Sequence, residues 1–157
     1  MGLLCVRPAQ SGGDSAVVSS TALYNEFLTT RPDLLEPLYE GFYLDLVGKG
    51  TQEKELTHHP IPVFSYFGGK ISCRYNKGQS EHGAKKKGDG LTGRQQEAVD
   101  YFRELSMRPD LRLEMEFRKG DIQILNNRTS LHSRTAFMDH LDPDRRRLLL
   151  RLWLNSF

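Results

Sequence analysis

Apolar and charged residues alternate along one stretch of the chain, where Leu111, Leu113, Met115 and Phe117 are interleaved with Arg112, Glu114, Glu116 and Arg118. A period of two puts successive side chains on opposite faces, so this stretch predicts a β-strand with one buried and one wet face. Met1-Gly2-Leu3-Leu4-Cys5-Val6, Ala16-Val17-Val18 and Ile122-Gln123-Ile124-Leu125 are short apolar runs bounded by turn residues and predict further strands. Val63 to Phe67 and Lys70 to Tyr75 flank Gly68-Gly69, a spacing that predicts a hairpin with a two-residue turn. The apolar run Leu148-Leu149-Leu150-Arg151-Leu152-Trp153-Leu154 predicts a final strand with apolar residues on both faces.

A period near 3.6 replaces the period of two in three places. Ser19, Ser20 or Thr21 can cap a helix that reaches Phe27-Leu28 and ends near Pro32, because the residue before proline avoids the helical region. Asp33 can cap a second helix carrying Leu34, Leu35, Leu38 and Tyr39. Thr92 with Gln95 has the spacing of a capping box, followed by Ala98, Phe102 and Leu105 until Pro109. The stretch from Gly48 to Thr57 is polar, and Asn76 to Gly90, with four glycines and Lys85-Lys86-Lys87, reads as a mobile surface loop and a candidate lid.

Short strands with turn signals and a few helices in the connections predict a mainly β, α+β fold of jelly-roll or sandwich type, with residues 1–157 as a single domain. The balance of 22 basic and 20 acidic residues gives a net charge of +2, which excludes the strong global field of a nucleic-acid binder. No apolar run is long enough to span a membrane. Cys5 and Cys73 lack CxxC spacing and no secretory leader is recognisable, so a soluble, reduced, cytoplasmic setting is expected, with the two thiols as small buried hydrophobes rather than a disulfide. The opening run begins in strand character without a lead-in, which reads either as an ordinary first strand or as the edge of a cropped, longer domain.

Two residues stand out chemically. Arg151 interrupts the leucine run, and a guanidinium buried there needs an anion, either a protein carboxylate or a bound carboxylate or phosphate. His132, in Leu131-His132-Ser133-Arg134, can ligate a metal, although spacing alone does not separate it from His58, His59, His82 or His140. The pair His58-His59 reads as surface. Phosphate-loop, GxSxG and HExxH patterns are absent.

The segments Gly120-Asp121-Ile122, Asn126-Asn127, Leu131-His132-Ser133-Arg134-Thr135-Ala136-Phe137 and Arg145 to Trp153 together resemble the TauD/TfdA family of iron(II)- and 2-oxoglutarate-dependent dioxygenases. Gly2-Leu3-Leu4-Cys5 followed by Ser11-Gly12-Gly13-Asp14-Ser15 adds to the resemblance. It implies a partial double-stranded β-helix, with Fe(II) and 2-oxoglutarate as cofactor and co-substrate and a small molecule as the substrate hydroxylated. It also implies that His132 is the distal iron ligand, that Arg151 pairs with the far carboxylate of 2-oxoglutarate, and that Ser15 and Arg147 assist.

The family's first metal motif, HxD or HxE, precedes the Gly-Leu-Leu-Cys strand, and Met1 stands where that motif ends. Two places after His58, His59, His82, His132 and His140 come Pro60, Ile61, Ala84, Arg134 and Asp142, so only His140-Leu141-Asp142 fits formally, and it lies in the wrong part of the chain. The chain therefore reads as a truncated C-terminal portion that lacks two of three iron ligands and is inactive alone. A non-catalytic binding protein that keeps the scaffold is the first alternative. An unrelated β-rich module, with Arg151 salt-bridged and His132 structural, is the second.

Overall fold

The computed structural model describes residues 1–46, 56–88 and 90–154. The chain runs through β1 (Gly2–Arg7), β2 (Ser11–Gly12) and β3 (Ser15–Ser19), then α1 (Ser20–Thr30), a 3-10 turn at Pro32–Leu34 and α2 (Leu35–Glu40). The hairpin of β4 (Phe64–Phe67) and β5 (Lys70–Cys73) is followed by α3 (Lys77–Lys87) and α4 (Gly93–Met107). The last part contains β6 (Arg112–Met115), β7 (Ile122–Ile124), β8 (Ser130–Arg134), β9 (Phe137–Met138) and β10 (Leu148–Leu152).

Two antiparallel three-stranded sheets position the residues of interest. In the first, ordered β10-β1-β7, Leu3 lies opposite both Arg151 and Gln123. In the second, ordered β6-β3-β8, Val17 lies opposite both Leu113 and His132. Directly paired residues share a face, so Arg151 and Gln123 project with Leu3, and His132 projects with Val17 and, two residues earlier, Ser15. These faces meet where Ser15 Oγ donates to Gln123 Oε1 at 3.1 Å and accepts from Gln123 Nε2 at 3.0 Å. β2–β9 and β4–β5 form smaller ribbons. The result is mixed α/β with four small sheets, and no continuous jelly roll closes among the described residues.

The core lies on the other face of β3. Val18 packs there with Leu23 and Phe27 of α1, Leu38 of α2, Phe64 of β4, and Val99 and Phe102 of α4. Edge-on and tilted ring contacts tie this cluster together, with Phe27 and Phe64 centroids 6.1 Å apart and Phe64 and Phe102 5.7 Å apart. Ser19 caps α1 by accepting from Ala22 N, and Thr92 with Gln95 forms the full capping box of α4.

Four expectations change. The segment predicted as a mobile loop is largely helix α3, which has no apolar face of its own and is held from outside. Asn76 caps it by accepting from Gln79 N, Lys86 pairs with Asp45 at 2.8 Å, and the Lys87 ammonium sits 3.4 Å from the Tyr43 ring centroid. Gly83 lies so close to the Tyr43 carbonyl that only a residue without a Cβ fits. Asp33 does not cap a helix; its carboxylate pairs with Arg31 at 2.8 Å.

The alternation predicted for β6 fails at its start, and β7 is buried at its polar position. The Arg112 side chain is 8% exposed and pairs with Glu114, whereas Leu113 is 63% exposed. In β7 the polar Gln123 is buried while Ile122 and Ile124 are exposed. Leu150 and Leu152 are exposed on the same outer face, because β10 is an edge strand with no layer covering that side among the described residues. Arg151, on the opposite face of β10, is exposed as well and not buried among leucines. Most of the polar stretch from Gly48 to Thr57 lies outside the described residues. No helix among those described is long and apolar enough to cross a membrane.

Candidate active site

His132, Ser15, Arg147 and Arg151 come from three segments, and all four residues border one cavity of about 560 Å³. β8 supplies His132, β3 supplies Ser15, and β10 with the residue just before it supplies Arg151 and Arg147. Leu3 and Leu149 form its apolar part, and Arg134 adds a third guanidinium. No aspartate or glutamate lines it.

Each arginine is held differently. The Arg147 backbone N–H donates to Asp139 Oδ1 at 2.7 Å, and its guanidinium carbon lies 5.3 Å from the Phe137 ring centroid. Arg134 covers the same ring at 4.3 Å. Gly13, with φ of +81°, leaves the room that Arg147 occupies: a Cβ there would stand 3.2 Å from Nε. Burial, and then the Arg134 charge, holds the Arg147 pKa below its ordinary value. Among the described residues no carboxylate lies within ion-pair distance of Arg134, Arg147 or Arg151. The cavity thus concentrates positive charge with no internal counter-ion.

His132 is open to the cavity, yet its pKa is lowered from 6.5. Loss of surrounding water is the first cause, the Arg151 charge the second and the Met1 ammonium the third. Each favours the neutral imidazole, the form whose nitrogen lone pair is free to bind a metal. Ser15 is buried, and its hydroxyl is engaged by Gln123, so a ligand reaching it must share or replace that bond.

The donor set does not complete an iron site. Among the described residues no group of three His, Cys, Asp or Glu side chains is placed to hold a metal. A 2-His-1-carboxylate face needs two donors beyond His132. The cavity does suit a small dicarboxylate, since guanidinium forks match carboxylates bidentately.

Sequence reasoning found these four residues and missed three others. Arg134 and Phe137 were seen only as parts of a motif. Gln123 gave no signal, because its burial arises from the packing of two sheets and not from local pattern. His58 and His59 are exposed, as expected, and Cys5 and Cys73 are buried free thiols.

The chain is 33% identical over 156 residues to FR-33289 synthase of Streptomyces rubellomurinus, covering 98% of this chain and 46% of that protein. It is 34% identical over 154 residues to taurine hydroxylase-like protein SAT17 of Stachybotrys chartarum, covering 96% and 38%. Its fold is similar to that of asparagine oxygenase solved with Fe(II), 2S,3S-3-hydroxyasparagine and succinate, with a TM-score of 0.68 at 19% identity over 94% of this chain and 42% of that one. The chain spans less than half the length of each of these proteins. Residues 1–153 match the family described as taurine catabolism dioxygenase TauD, TfdA family, and the chain belongs to that family.

Proposed function

We propose that this chain provides the 2-oxoglutarate-binding and distal-histidine part of an Fe(II)/2-oxoglutarate-dependent dioxygenase that hydroxylates a small molecule while 2-oxoglutarate is decarboxylated to succinate. The observation that carries this reading is the cavity in which three guanidiniums with no counter-ion surround Ser15 and His132. The co-substrate dianion supplies the missing charge.

The resemblance gives the far carboxylate to Arg151 with Arg147 assisting, and the greater burial of Arg147 favours a larger share for Arg147. Arg147 is the more desolvated cation and gains most from an anion, so it carries the larger share of the far carboxylate, with Ser15 as a hydroxyl partner. Arg151, the more exposed of the two, borders the same cavity and lowers the His132 pKa through its charge. The Leu3 and Leu149 wall keeps water from the dianion's carbon chain.

Titration calorimetry of 2-oxoglutarate into the chain tests the reading. Arg147→Gln weakens binding by at least tenfold, and Arg151→Gln by less. Unchanged affinity in both variants overturns it.

The incomplete donor set favours a second reading, a 2-oxoglutarate-binding scaffold without turnover. Succinate release by the chain with iron, ascorbate and oxygen separates the two: the preferred reading expects none until a polypeptide supplying two further ligands is added, and the second expects none under either condition.

A further inference from the structure

The outer face of the first sheet carries two apolar rows. Ile122 of β7, Leu4 of β1 and Leu150 of β10 lie directly opposite one another, and Ile124, Gly2 and Leu152 form the next row on the same face. This face is turned away from Leu3, Gln123 and Arg151. Ile122, Ile124, Leu150 and Leu152 are between 54% and 71% exposed, and no layer of described residues covers them. An antiparallel sheet that leaves one face to water normally places polar side chains there. Here none of the positions in the two rows is polar or charged.

The relief of the face is uneven. Leu4 is a knob at the centre of one row, and Gly2 is a notch at the centre of the other, where a Cβ meets nothing within 4 Å. A two-fold axis in the plane of contact, running across the strands midway between the rows, turns one row onto the other. Leu4 of each copy then enters the notch over the partner's Gly2, Ile122 meets Ile124, and Leu150 meets Leu152. Such a contact is isologous, and sheets stacked about 10 Å apart interdigitate in this way. Two copies bring no like charges together on this face, and the net charge of +2 adds little repulsion between them. The exposed area of these residues is roughly 500 Å² on each copy, or about 1,000 Å² in a pair, which reaches the lower limit for a specific interface.

We propose that this face is the interface of a symmetric homodimer, in which Leu4 of each copy fills the notch at Gly2 of the other. Arg151 lies on the opposite face of the sheet, so the pairing is independent of the reading given to the arginine-lined cavity.

Sedimentation velocity of the full chain, from micromolar to millimolar concentration, reads the association. A monomer–dimer equilibrium with a micromolar Kd and no larger species is expected, because a two-fold contact closes on itself. Leu150→Lys and Leu152→Glu each raise the Kd at least tenfold, since each buries a charge in the interface. Mixed together, these two variants associate with each other more tightly than either does with itself, because their opposite charges meet at one of the two contacts between positions 150 and 152. Gly2→Leu separates a fitted contact from general stickiness. The added side chain has open space in the monomer and does not lower its thermal midpoint, yet it fills the notch and raises the dimer Kd at least tenfold. Non-specific association gains from the extra apolar surface instead. A chain that stays monomeric at millimolar concentration overturns the proposal and leaves the face to a different polypeptide. Growth into large oligomers without a dimer plateau, or a Gly2→Leu dimer as tight as the wild type, overturns it as well.

Discussion

Ser15 and Gln123 hold each other by a two-way hydrogen bond, and through that bond the β3 sheet is joined to the β1 sheet beside the arginine-lined cavity. Both side chains are buried, at 4% and 7% exposure, so neither has water to fall back on. Gln123→Leu leaves the Ser15 hydroxyl without its partner and lowers stability by about 1–3 kcal/mol in urea unfolding. Ser15→Ala costs a similar amount. The double variant recovers most of the loss, because replacing both partners with apolar groups leaves nothing stranded.

Arg151 acts on His132 through charge. Arg151→Leu raises the His132 pKa toward 6.5, read by NMR titration of the imidazole, because one of the cations that disfavour its protonation is gone. The folded-state pKa lies below the unfolded one, so the unfolded chain takes up the proton first as pH falls. Stability contributed by neutral His132 is therefore complete above about pH 6.5 and declines as pH drops through and below that value. His132→Gln flattens this part of the stability profile in urea unfolding between pH 7 and pH 5.

Helix α3 depends on a close approach. Gly83→Ala places a methyl group into the Tyr43 carbonyl, which forces the helix off its seat and costs at least about 1–3 kcal/mol by thermal or urea unfolding. Gly78→Ala, in the same helix with only ordinary contact to the Asn76 side chain, is the control and stabilises by about 0.5–1 kcal/mol.

Cys73 is closed to solvent, and burial pushes its thiol up to about 12. In the native protein at pH 8 it does not react with a thiol reagent such as 5,5′-dithiobis(2-nitrobenzoate), and it reacts at once in denaturant. The folded pKa lies above the ordinary 9.0, so stability from the protonated thiol is complete below pH 9 and is lost as pH rises toward 12. Cys73→Ala removes that part of the alkaline decline.

The elements that carry their own signals were legible in the sequence. Thr92 and Gln95 announced α4, Gly68-Gly69 announced the β4–β5 turn, and the four candidate site residues do share one cavity. What failed was anything decided by the next layer. The Leu113 and Arg112 pattern says that β6 has two unlike faces, but which face is covered depends on the layers packed against its sheet, and here the arginine is covered. Helix α3 lacks an apolar stripe because Asp45, Tyr43 and an Asn76 cap hold it instead. The leucines around Arg151 suggested burial, yet in an edge strand they coat an open face.

The pairing of β1 with β10 has a consequence for how the molecule forms. Leu3 and Arg151, near opposite ends of the sequence, are directly opposed in the sheet, while the Phe27, Phe64 and Phe102 cluster is drawn entirely from segments between them. A ribosome delivers that cluster long before it delivers the strand that completes β1. The helical half can collapse during synthesis, but the arginine-lined cavity has no floor until the last strand arrives, and a pairing of such sequence separation is intrinsically slow. The arginine-lined cavity is thus completed only after the segments of the aromatic core have been made.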